Sequence, residues 1–510
     1  MQHTSVLIVG GSLVGLSASV FLSWRNVPHI LVERHRGSSP HPRAMGFTET
    51  TVEHYRTVGI SVRIPQSAPE ARLRRVRTTN LAADWISESD WTPGQTADRS
   101  SVLSPCLGAA IAQDKIEPIL REAAVELGSE LRLGVEMVQF RQVDNGVVAL
   151  LRELESSREY EVCADYLIAA DGANSGIRET LAISRNGVGH LRTLRSVLFE
   201  CPDADRYLQR GPQQYEIEND GFHAFLTTYG DSRWVLMFDD DKDRSSEELR
   251  EAVQRALGRD MPFEVIATGL WEMAGRIADR YSDGRVFLVG DAAHQLPPTR
   301  GGFGANTGID DAWNLAWKLQ RVLDGLSGPA LLDTYSVERQ PIGWLRHQQT
   351  FSRPDYASWV GSDFRPSTLL SNDAMEFGQI VRSSAVIGAA SHLPPAAEPG
   401  VWRGQPGTRA PHIWLEGETG EISTLDLFGR NFVLLTASED WSKSAVGVSV
   451  TMMRIGTDIR ISDQHVLMEA FGIGHDGASL VRPDGIIAWR ALSGPTSESL
   501  SALRALISSP

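Results

Sequence analysis

The sequence is poor in cysteine. Its 510 residues include only three, Cys106, Cys163 and Cys201, which lie far apart and form no C-x-x-C pair. An odd number of scattered thiols excludes a disulfide framework and offers no cysteine metal site. We therefore predict a cytoplasmic protein without a metal centre.

Runs of basic residues are also absent. The chain carries 49 Lys and Arg against 64 Asp and Glu, a formal net charge of −15. An acidic chain without a basic cluster is repelled by phosphate backbones and by anionic lipid surfaces. Nucleic acids and membranes are therefore not expected as partners.

Long hydrophobic runs are scarce. Residues 5–22 carry no charge, but Gly10, Gly11, Ser12 and Gly15 interrupt them, and no Lys or Arg precedes them as in a signal peptide. No membrane span is predicted. The hydrophobic content of 42% is ordinary for globular proteins, and the length predicts about three domains.

What the sequence does contain is a glycine-rich turn after a buried strand. VLIVGGSLVG, residues 6–15, matches the dinucleotide fingerprint G-x-G-x-x-G except that Ser12 replaces the middle glycine. Apolar residues then recur at helical spacing, and a second apolar strand, HILVE, ends in Glu33. The strand, the helix and the acidic residue supply the context that this motif requires.

Serine at the middle position is compatible with a phosphate site. Its hydroxyl can donate to a phosphate oxygen and suits a helix N-terminus, and the Glu33 carboxylate can bind ribose hydroxyls. The motif alone does not distinguish NAD from FAD. A βαβ unit that binds no ligand is the alternative.

The segment 285–323 carries a second and more specific signal. A strand ends in Gly290-Asp291, a loop rich in proline and glycine follows, and a long amphipathic helix completes the segment. Asp291 is placed to accept hydrogen bonds from a polyol. The free amides at the start of the helix offer the positive charge that the N1/C2=O edge of a reduced flavin needs. The alternative, a loop that only packs, would be costly to order.

Polar residues also follow or begin three other predicted elements. They are Arg43 in the loop PHPRAM (40–45), Gln113 at the start of an amphipathic helix over 113–127, and Asp171-Gly172 after a strand within 166–178. Taken singly, each could be an ordinary solvated or turn residue. Residues 130–143 alternate between apolar and polar as a strand does.

Together these motifs resemble those of the group A FAD-dependent aromatic monooxygenases, which include the p-hydroxybenzoate and phenol hydroxylases. The finer likeness is to hydroxylases of aromatic polyketides such as anthracyclines, angucyclines and tetracenomycins. It rests on AQDKIEPIL (112–120), GLWEMAGRIADRY (269–281) and GASLVRPDGIIAWR (477–490) and covers nearly the whole chain. The resemblance implies FAD as cofactor, with NAD(P)H and O2 as co-substrates.

The resemblance also implies which residues bind FAD. They are Gly10, Gly11, Ser12, Val14, Gly15, Glu33, Arg34, Arg43, Gln113, Asp171, Gly290, Asp291, Pro298, Gly304, Ala305 and Asn306. The N-terminal glycine turn would meet the pyrophosphate, and Glu33 the adenosine ribose. Arg43 and Gln113 would contact the phosphate and ribityl region. Asp291 would hold a ribityl hydroxyl, and the loop 298–306 would flank the isoalloxazine ring. Asp171 with Gly172 would serve FAD and the transient NAD(P)H site.

Two departures from the family pattern are visible. Ser12 replaces a glycine, and one residue more than usual separates His294 from Asn306, with Arg300 as the natural candidate for the insertion. An arginine at that place could stabilise negative charge beside the flavin or simply point to solvent.

The implied fold class is α/β with three parts. These are a Rossmann-like FAD-binding domain at 1–74, 100–182 and 276–385, an inserted β-rich substrate-binding domain at 75–99 and 183–275, and a thioredoxin-like C-terminal domain at 395–510. The last part contains no cysteine, which excludes thiol redox work and leaves a structural or interface role.

Within the substrate domain, residues 216–241 indicate a strand, a turn at 229–232 and a second strand. The acidic residues 239–243 favour the start of a capped helix at Ser245 over a metal site. Five side chains could face a flat aromatic ligand or belong to the core: Tyr215, His223, Phe225, Trp271 and Met273.

The resemblance implies that a flavin C4a-hydroperoxide transfers oxygen to a polycyclic phenol of polyketide type, giving hydroxylation in secondary-metabolite biosynthesis. Baeyer–Villiger oxidation or epoxidation could follow from the same intermediate. An FAD-dependent dehydrogenase or oxidase would remove hydride without inserting oxygen, and a flavin-binding protein without enzymatic activity would do neither. No catalytic side chain is assigned, because such a phenol can ionise without a protein base, and His294 suits a titrating or a structural role. The exact substrate, the choice of NADH or NADPH, and a monomeric or homodimeric state stay open.

Overall fold

The computed structural model describes residues 2–508 except 42–43, 68–73, 91–102, 211–212, 241, 298–302, 419 and 446–447. Two residues expected to bind FAD, Arg43 and Pro298, therefore lie outside the described residues. So do Arg300 and Asp241.

An eight-stranded sheet organises the N-terminal part of the chain. With strands numbered in chain order, it contains β1 (Gln2–Val9), β2 (His29–Glu33), β7 (Glu130–Leu133), β8 (Val135–Val143), β9 (Gly146–Glu153), β10 (Glu159–Ala169), β16 (Ser282–Asp283) and β17 (Val286–Leu288). The strands β17, β10, β1, β2 and β7 lie side by side and run parallel. The apolar residues 6–8 of β1 are fully buried, as parallel strands covered on both faces require.

The helices of this part are α1 (Leu13–Trp24), α2 (Glu49–Thr57), α3 (Gln113–Glu126), α4 (Gly176–Thr180), α6 (Phe303–Leu323) and α7 (Ala330–Phe351). A short ribbon pairs β3 (Gly46–Phe47) with β6 (Ala109–Ala110). The helices predicted after the fingerprint, at 113–127 and after the proline- and glycine-rich loop are confirmed.

The single strand predicted over 130–143 is wrong. Gly134 has φ +75, in the left-handed region, and it divides the segment. The first half, β7, pairs in parallel with β2, and the second half, β8, pairs with β9. The alternation of side chains continues across this glycine, so periodicity alone hides the break.

A second eight-stranded sheet contains β4 (Arg74–Thr78), β5 (Ser87–Asp90), β11 (Arg185–Glu200), β12 (Gln213–Asn219), β13 (Phe222–Gly230), β14 (Arg233–Asp239), β15 (Glu264–Ala278) and β18 (His294–Gln295). Its spatial order is β18-β15-β11-β14-β13-β12-β4-β5. The helix α5 (Ser246–Leu257) covers one face, where Trp234 and Leu236 pack with Leu249 and Val253. The other face of this sheet is turned toward the part of the chain that is built on the first sheet.

The turn predicted within 229–232 is confirmed at residues 231–232 between β13 and β14. Residues 213–219, however, form a separate strand, because Asp220 and Gly221 both have positive φ and reverse the chain. The predicted capped helix is also confirmed, since Ser245 and Glu248 form a capping box at the start of α5.

The C-terminal part contains α8 (Asn372–Glu376), α9 (Pro399–Trp402), β19 (Trp414–Glu416), β20 (Glu421–Ser423), β21 (Val433–Thr436), α10 (Glu439–Ser444), β22 (Thr451–Arg454), α11 (Gln464–Ala470), β23 (Ala478–Val481), β24 (Ile487–Ala491) and α12 (Ser497–Ser508). Its four-stranded sheet has the order β22-β21-β23-β24, with β21 parallel to β22 and antiparallel to β23. The thioredoxin-like character that the resemblance implies for this part stays a prediction. The turn between β23 and β24, residues 482–485, reaches α6 and α7.

Two features are missing from the described ranges. None of their helices combines the length and hydropathy needed to cross a bilayer. The same residues bring together no group of three or more potential metal ligands.

Candidate active site

The glycine turn after β1 is closed so tightly that side chains are excluded from it. Gly10 has φ +106, and a Cβ on it would lie 2.2 Å from the carbonyl oxygen of Ala170. A Cβ on Gly15 would lie 1.9 Å from the carbonyl oxygen of Gly10. Both clashes involve backbone atoms, so the two glycines are required to bring the start of α1 against the ends of β1 and β10.

Ser12 occupies the N-cap position of α1 without capping it. Its Oγ donates to Oε1 of Glu117 over 2.7 Å and accepts from Nε2 of Gln113 over 2.9 Å. Within the described chain, no side chain therefore caps the first turn of α1, and this turn contains no acidic residue. Uncapped amides at the positive end of a helix form a site for an anion such as a pyrophosphate.

Glu33 lies beside this turn at the end of β2. Its Oε2 accepts the N–H of Gly11 over 2.7 Å, and its Oε1 accepts the N–H of His35 over 2.8 Å. The two bonds fix the carboxylate next to the glycine turn, and its remaining lone pairs can accept from ribose hydroxyls. Arg34 is exposed, and its Nε donates to the ring of His35.

The second motif lies directly against the first. Gly290 has φ +60, and a Cβ on it would lie 2.9 Å from a methyl group of Val14. A Cβ on Gly308 would lie 2.6 Å from the same methyl group. Val14 thus fills a slot between two glycines that are far from it in sequence. The slot brings the start of α1, the turn holding Asp291 and the first turns of α6 together.

Two observations at this junction bear on ligand binding. A Cβ on Gly304, in the first turn of α6, would have no described atom within 4 Å. Asp171 has one oxygen bonded to the N–H of Ile177 at 3.2 Å, while its other oxygen is buried without a partner among the described residues. Burial also raises the pKa of Asp171. A ligand with hydroxyl donors would satisfy the buried oxygen.

Asn306, expected beside the flavin, has its side chain engaged elsewhere. Its Oδ1 accepts from the N–H of Thr48 at 3.1 Å and from Oγ1 of Thr51 at 2.7 Å. Its Nδ2 donates to the carbonyl of Gly46 at 3.2 Å. The side chain therefore links α6 to α2 and β3.

His294 is fully buried in a polar cluster with Asp311 and Arg339. Its Nε2 lies 2.7 Å from Oδ2 of Asp311, and Oδ1 of that carboxylate accepts from Nε of Arg339 at 2.7 Å. Burial would raise the pKa of Asp311, but the interactions with His294 and Arg339 outweigh it and lower that pKa. The same carboxylate accepts the N–H of Gly290 at 3.2 Å.

Sequence reasoning missed Asp311, Arg339 and Glu117. Glu117 could have been found, because it follows Gln113 by one helical turn in the predicted helix. Asp311 lies between residues of the predicted buried face of α6, where an unpaired charge would not be tolerated. Its partner Arg339 lies on another helix, and no local pattern points to it.

The face of the second sheet that is turned toward the first carries small residues between apolar ones. Ser196 and Gly269 pair across β11 and β15, and a Cβ on Gly269 would lie 3.2 Å from Oγ of Ser196. Met237 and Trp271 are partly exposed on the same face, and the ring centroid of Trp271 lies 5.9 Å from that of His41. Trp271 of this face therefore lies beside His41.

The five candidate ligand-facing side chains separate on this basis. Phe225 lies opposite Met237 and is partly exposed on the same face as Trp271. Tyr215 and Met273 are buried in packed clusters, and His223 is exposed. Of the five, Phe225 and Trp271 combine a position among apolar side chains on this face with partial exposure.

Comparison with known proteins decides the family. Residues 3–350 match the family model described as FAD binding domain, and residues 403–510 match the one described as aromatic-ring hydroxylase, C-terminal. The chain belongs to the FAD-dependent aromatic-ring hydroxylases. FAD is therefore its cofactor, and the predicted resemblance, fold class and monooxygenase activity are confirmed.

Relatives of this aromatic-ring hydroxylase match it along nearly their whole length. It is 37% identical to the tetracenomycin A2 monooxygenase-dioxygenase of Streptomyces glaucescens, covering 96% of this chain and 94% of that protein. It is 36% identical to the 4-methyl-5-nitrocatechol 5-monooxygenase of a Burkholderia species, covering 98% and 97%. The crystal structure of a ternary complex of aklavinone-11 hydroxylase with FAD and aklavinone superposes with a TM-score of 0.89 at 31% identity over 99% of both chains.

Replacing Ser12 with alanine tests what its hydroxyl does in this hydroxylase. Because the hydroxyl hydrogen is already donated to Glu117, it is not available for a hydrogen bond to a phosphate. We expect Ser12→Ala to lower the free energy of unfolding by about 1 kcal/mol, the usual worth of one hydrogen bond. The FAD dissociation constant should change by less than about threefold. Urea denaturation and fluorescence titration measure the two quantities. A tenfold loss of FAD affinity at unchanged stability would show a direct phosphate contact instead.

Proposed function

We propose that this hydroxylase uses NAD(P)H and O2 to hydroxylate a polycyclic aromatic phenol of polyketide type in secondary-metabolite biosynthesis. The observation that carries the proposal is the likeness, over nearly the whole chain, to proteins named for tetracenomycin and aklavinone. The family assignment favours oxygen insertion over the dehydrogenase or oxidase alternative. The expectation that oxygen transfer runs through a flavin C4a-hydroperoxide stays a prediction.

The residues around the two glycine turns fit FAD. The start of α1 would hold the pyrophosphate, Glu33 the adenosine ribose, and Asp291 a ribityl hydroxyl. The first turn of α6, around Gly304 and Ala305, would lie beside the isoalloxazine ring. When bound, FAD supplies the acceptance of hydride and the activation of oxygen. The positive end of α6 would stabilise negative charge on the ring's N1/C2=O edge. Contacts from Arg43 and Pro298 stay predictions.

The substrate would lie on the apolar face that carries Phe225, Met237 and Trp271. The small residues Ser196 and Gly269, which pair across β11 and β15, would accommodate a flat ring system above these strands. Apolar walls on this face would exclude water from the reacting atoms and hold the ring in a fixed orientation. No general base is assigned, because a polycyclic phenol can ionise without one.

A single-ring phenol is the second candidate substrate. The Burkholderia relative, at 36% identity over nearly the full length of both chains, is named for a nitrocatechol. Whole-chain similarity therefore does not separate the two classes. The apolar side chains of Phe225, Met237 and Trp271 on one face of the second sheet favour the polycyclic phenol.

The deciding experiment is stopped-flow spectroscopy of the FAD-loaded, anaerobically reduced protein mixed with oxygen. It is run without substrate, with a tetracyclic polyketide phenol and with 4-methyl-5-nitrocatechol. A transient absorbance before oxidised flavin returns, together with hydroxylated tetracyclic product, supports the proposal. Hydroxylation of the catechol alone would favour the single-ring candidate. Reoxidation without a transient and without any hydroxylated product would contradict both.

Replacing Gly304 with valine tests where the flavin lies. The added side chain meets no described atom within 4 Å of its Cβ, so the apoprotein should keep its stability to within about 0.5 kcal/mol. The side chain would enter the space proposed for the isoalloxazine ring, and the FAD dissociation constant should rise at least about tenfold. Thermal unfolding of the apoprotein and FAD titration check both expectations. Unchanged FAD affinity would place the ring elsewhere.

A further inference from the structure

The turn between β23 and β24 brings a buried arginine from the C-terminal part to α7. Arg482 donates from its two terminal nitrogens to Oε1 and Oε2 of Glu338 over 2.7 and 2.9 Å. Its Nε donates to Oδ1 of Asp484 over 3.0 Å. The side chains of Arg482 and Glu338 are completely buried. A two-pronged arginine–carboxylate pair of this kind fixes orientation as well as distance.

Glu338 is also the centre of a wider network. It accepts from Nζ of Lys318 at 2.9 Å, from Nδ2 of Asn314 at 2.9 Å and from Oγ of Ser383 at 2.6 Å. Lys318 and Asn314 lie on α6. Two cations and two carboxylates therefore neutralise each other in the interior, which is the condition under which buried charges are tolerated.

The next residue on α7 continues the network toward the cofactor. Arg339 donates from Nε to Asp311 at 2.7 Å and from a terminal nitrogen to the carbonyl of Thr307 at 3.2 Å. Asp311 in turn accepts the N–H of Gly290 at 3.2 Å. The side chains of successive helical residues point about 100° apart. Glu338 of α7 therefore contacts the C-terminal part, while the next residue, Arg339, contacts the elements around the turn at Gly290.

We propose that Arg482 is a positioning residue for the flavin site. Through its bonds to Glu338, Arg482 fixes the rotation of α7 and its position along the helix axis. Through Arg339 and Asp311, α7 in turn fixes the position of the turn that carries Asp291. This inference rests on the proposed placement of FAD beside that turn. It gives the cysteine-free C-terminal domain a role, namely to hold the cofactor-binding elements in their binding geometry.

The test compares Arg482→Met with Arg490→Met. Arg490 lies on β24 in the same hairpin, but among the residues that the structure describes it donates only to the carbonyl of Arg403, within the C-terminal part. Both variants are made in the full chain and measured for Tm, for FAD dissociation constant by fluorescence titration, and for the visible circular dichroism of bound FAD. We expect Arg482→Met to raise the FAD dissociation constant about tenfold and to alter the dichroism. Arg490→Met should match wild type in both.

If Arg482 only stabilises the fold, a different result is expected. In that case Arg482→Met lowers the Tm while FAD affinity and flavin dichroism stay as in wild type, and the proposal is overturned. Should Arg482→Met not fold, Arg482→Lys is measured in the same way. Lysine keeps the positive charge but cannot form the two-pronged hydrogen bond to Glu338. We expect the FAD dissociation constant of this variant to rise about threefold. Equality with wild type would overturn the proposal.

Asp291→Ala separates this inference from the placement of the cofactor. If it leaves FAD affinity unchanged, the placement beside that turn is wrong. If it weakens FAD binding while both Arg482 variants do not, the placement stands and only the positioning role of Arg482 is wrong.

Discussion

Replacing Gly15 with alanine is expected to abolish FAD binding. The new Cβ would lie 1.9 Å from the carbonyl oxygen of Gly10, and neither atom belongs to a flexible side chain. The turn would have to open by more than 1 Å, which moves the uncapped amides of α1 away from the end of β1. We expect at least about a hundredfold loss of FAD affinity and a loss of about 2 kcal/mol in the free energy of unfolding from overpacking.

Gly328→Ala is the matched control for this variant. A Cβ on Gly328 has no described atom within 4 Å, and its φ lies outside the left-handed region. This variant should bind FAD like wild type and unfold within about 0.5 kcal/mol of it. Fluorescence titration and urea denaturation of both proteins provide the comparison. Wild-type FAD affinity in Gly15→Ala would show that the pyrophosphate does not lie at the start of α1.

The elements around the site follow from local signals in the sequence. The buried strand β1, the helix α1 and the strand ending in Glu33 are each encoded within about thirty residues, by an apolar run, a helical period and glycines that exclude side chains. The contact between Val14 and Gly290 is not encoded locally. The sequence places the two motifs in one site only because both are typical of a flavin-binding protein.

The buried charges cannot be predicted from sequence patterns because their partners are far away along the chain. Arg482 and Glu338 are 144 positions apart, and each residue alone resembles an ordinary exposed charge of a turn or a helix. Similarly, Asn306 reaches Thr48 across 258 positions, so the structure assigns its side chain to packing between α6 and α2. Pattern analysis identifies an amphipathic face but not the charge that is paired inside it.

The two misread segments have a common cause. At Gly134 and at Asp220 with Gly221, the backbone adopts positive φ, and the chain changes its pairing partner while side chains keep alternating. Period-2 alternation reports which face a residue occupies, but it does not report which strand lies beside it. Register and connectivity therefore come from the turn conformations rather than from the alternation.

The second large effect is expected for Glu338→Gln. This change removes one of the two carboxylates near Arg482 and Lys318. The side chains of Glu338, Arg482 and Lys318 are fully buried, so the two cations lose their buried counter-charge. Removing one member of a buried ion cluster typically costs about 3–5 kcal/mol. We expect a loss of that size in urea denaturation at pH 7. Asp333→Asn, which alters an exposed carboxylate on the same helix, should stay within about 0.5 kcal/mol of wild type.

The double variant Lys318→Met with Glu338→Gln shows whether charge balance is the cause. Burial lowers the pKa of Lys318 to about 8, although Glu338 opposes this shift, so the ammonium depends on that carboxylate. Removing one charge of each sign restores neutrality around Arg482 and Asp484. We expect the double variant to regain at least about 1 kcal/mol relative to Glu338→Gln. If the two substitutions instead add without coupling, Glu338 stabilises the helix pair through packing and hydrogen bonds rather than through its charge.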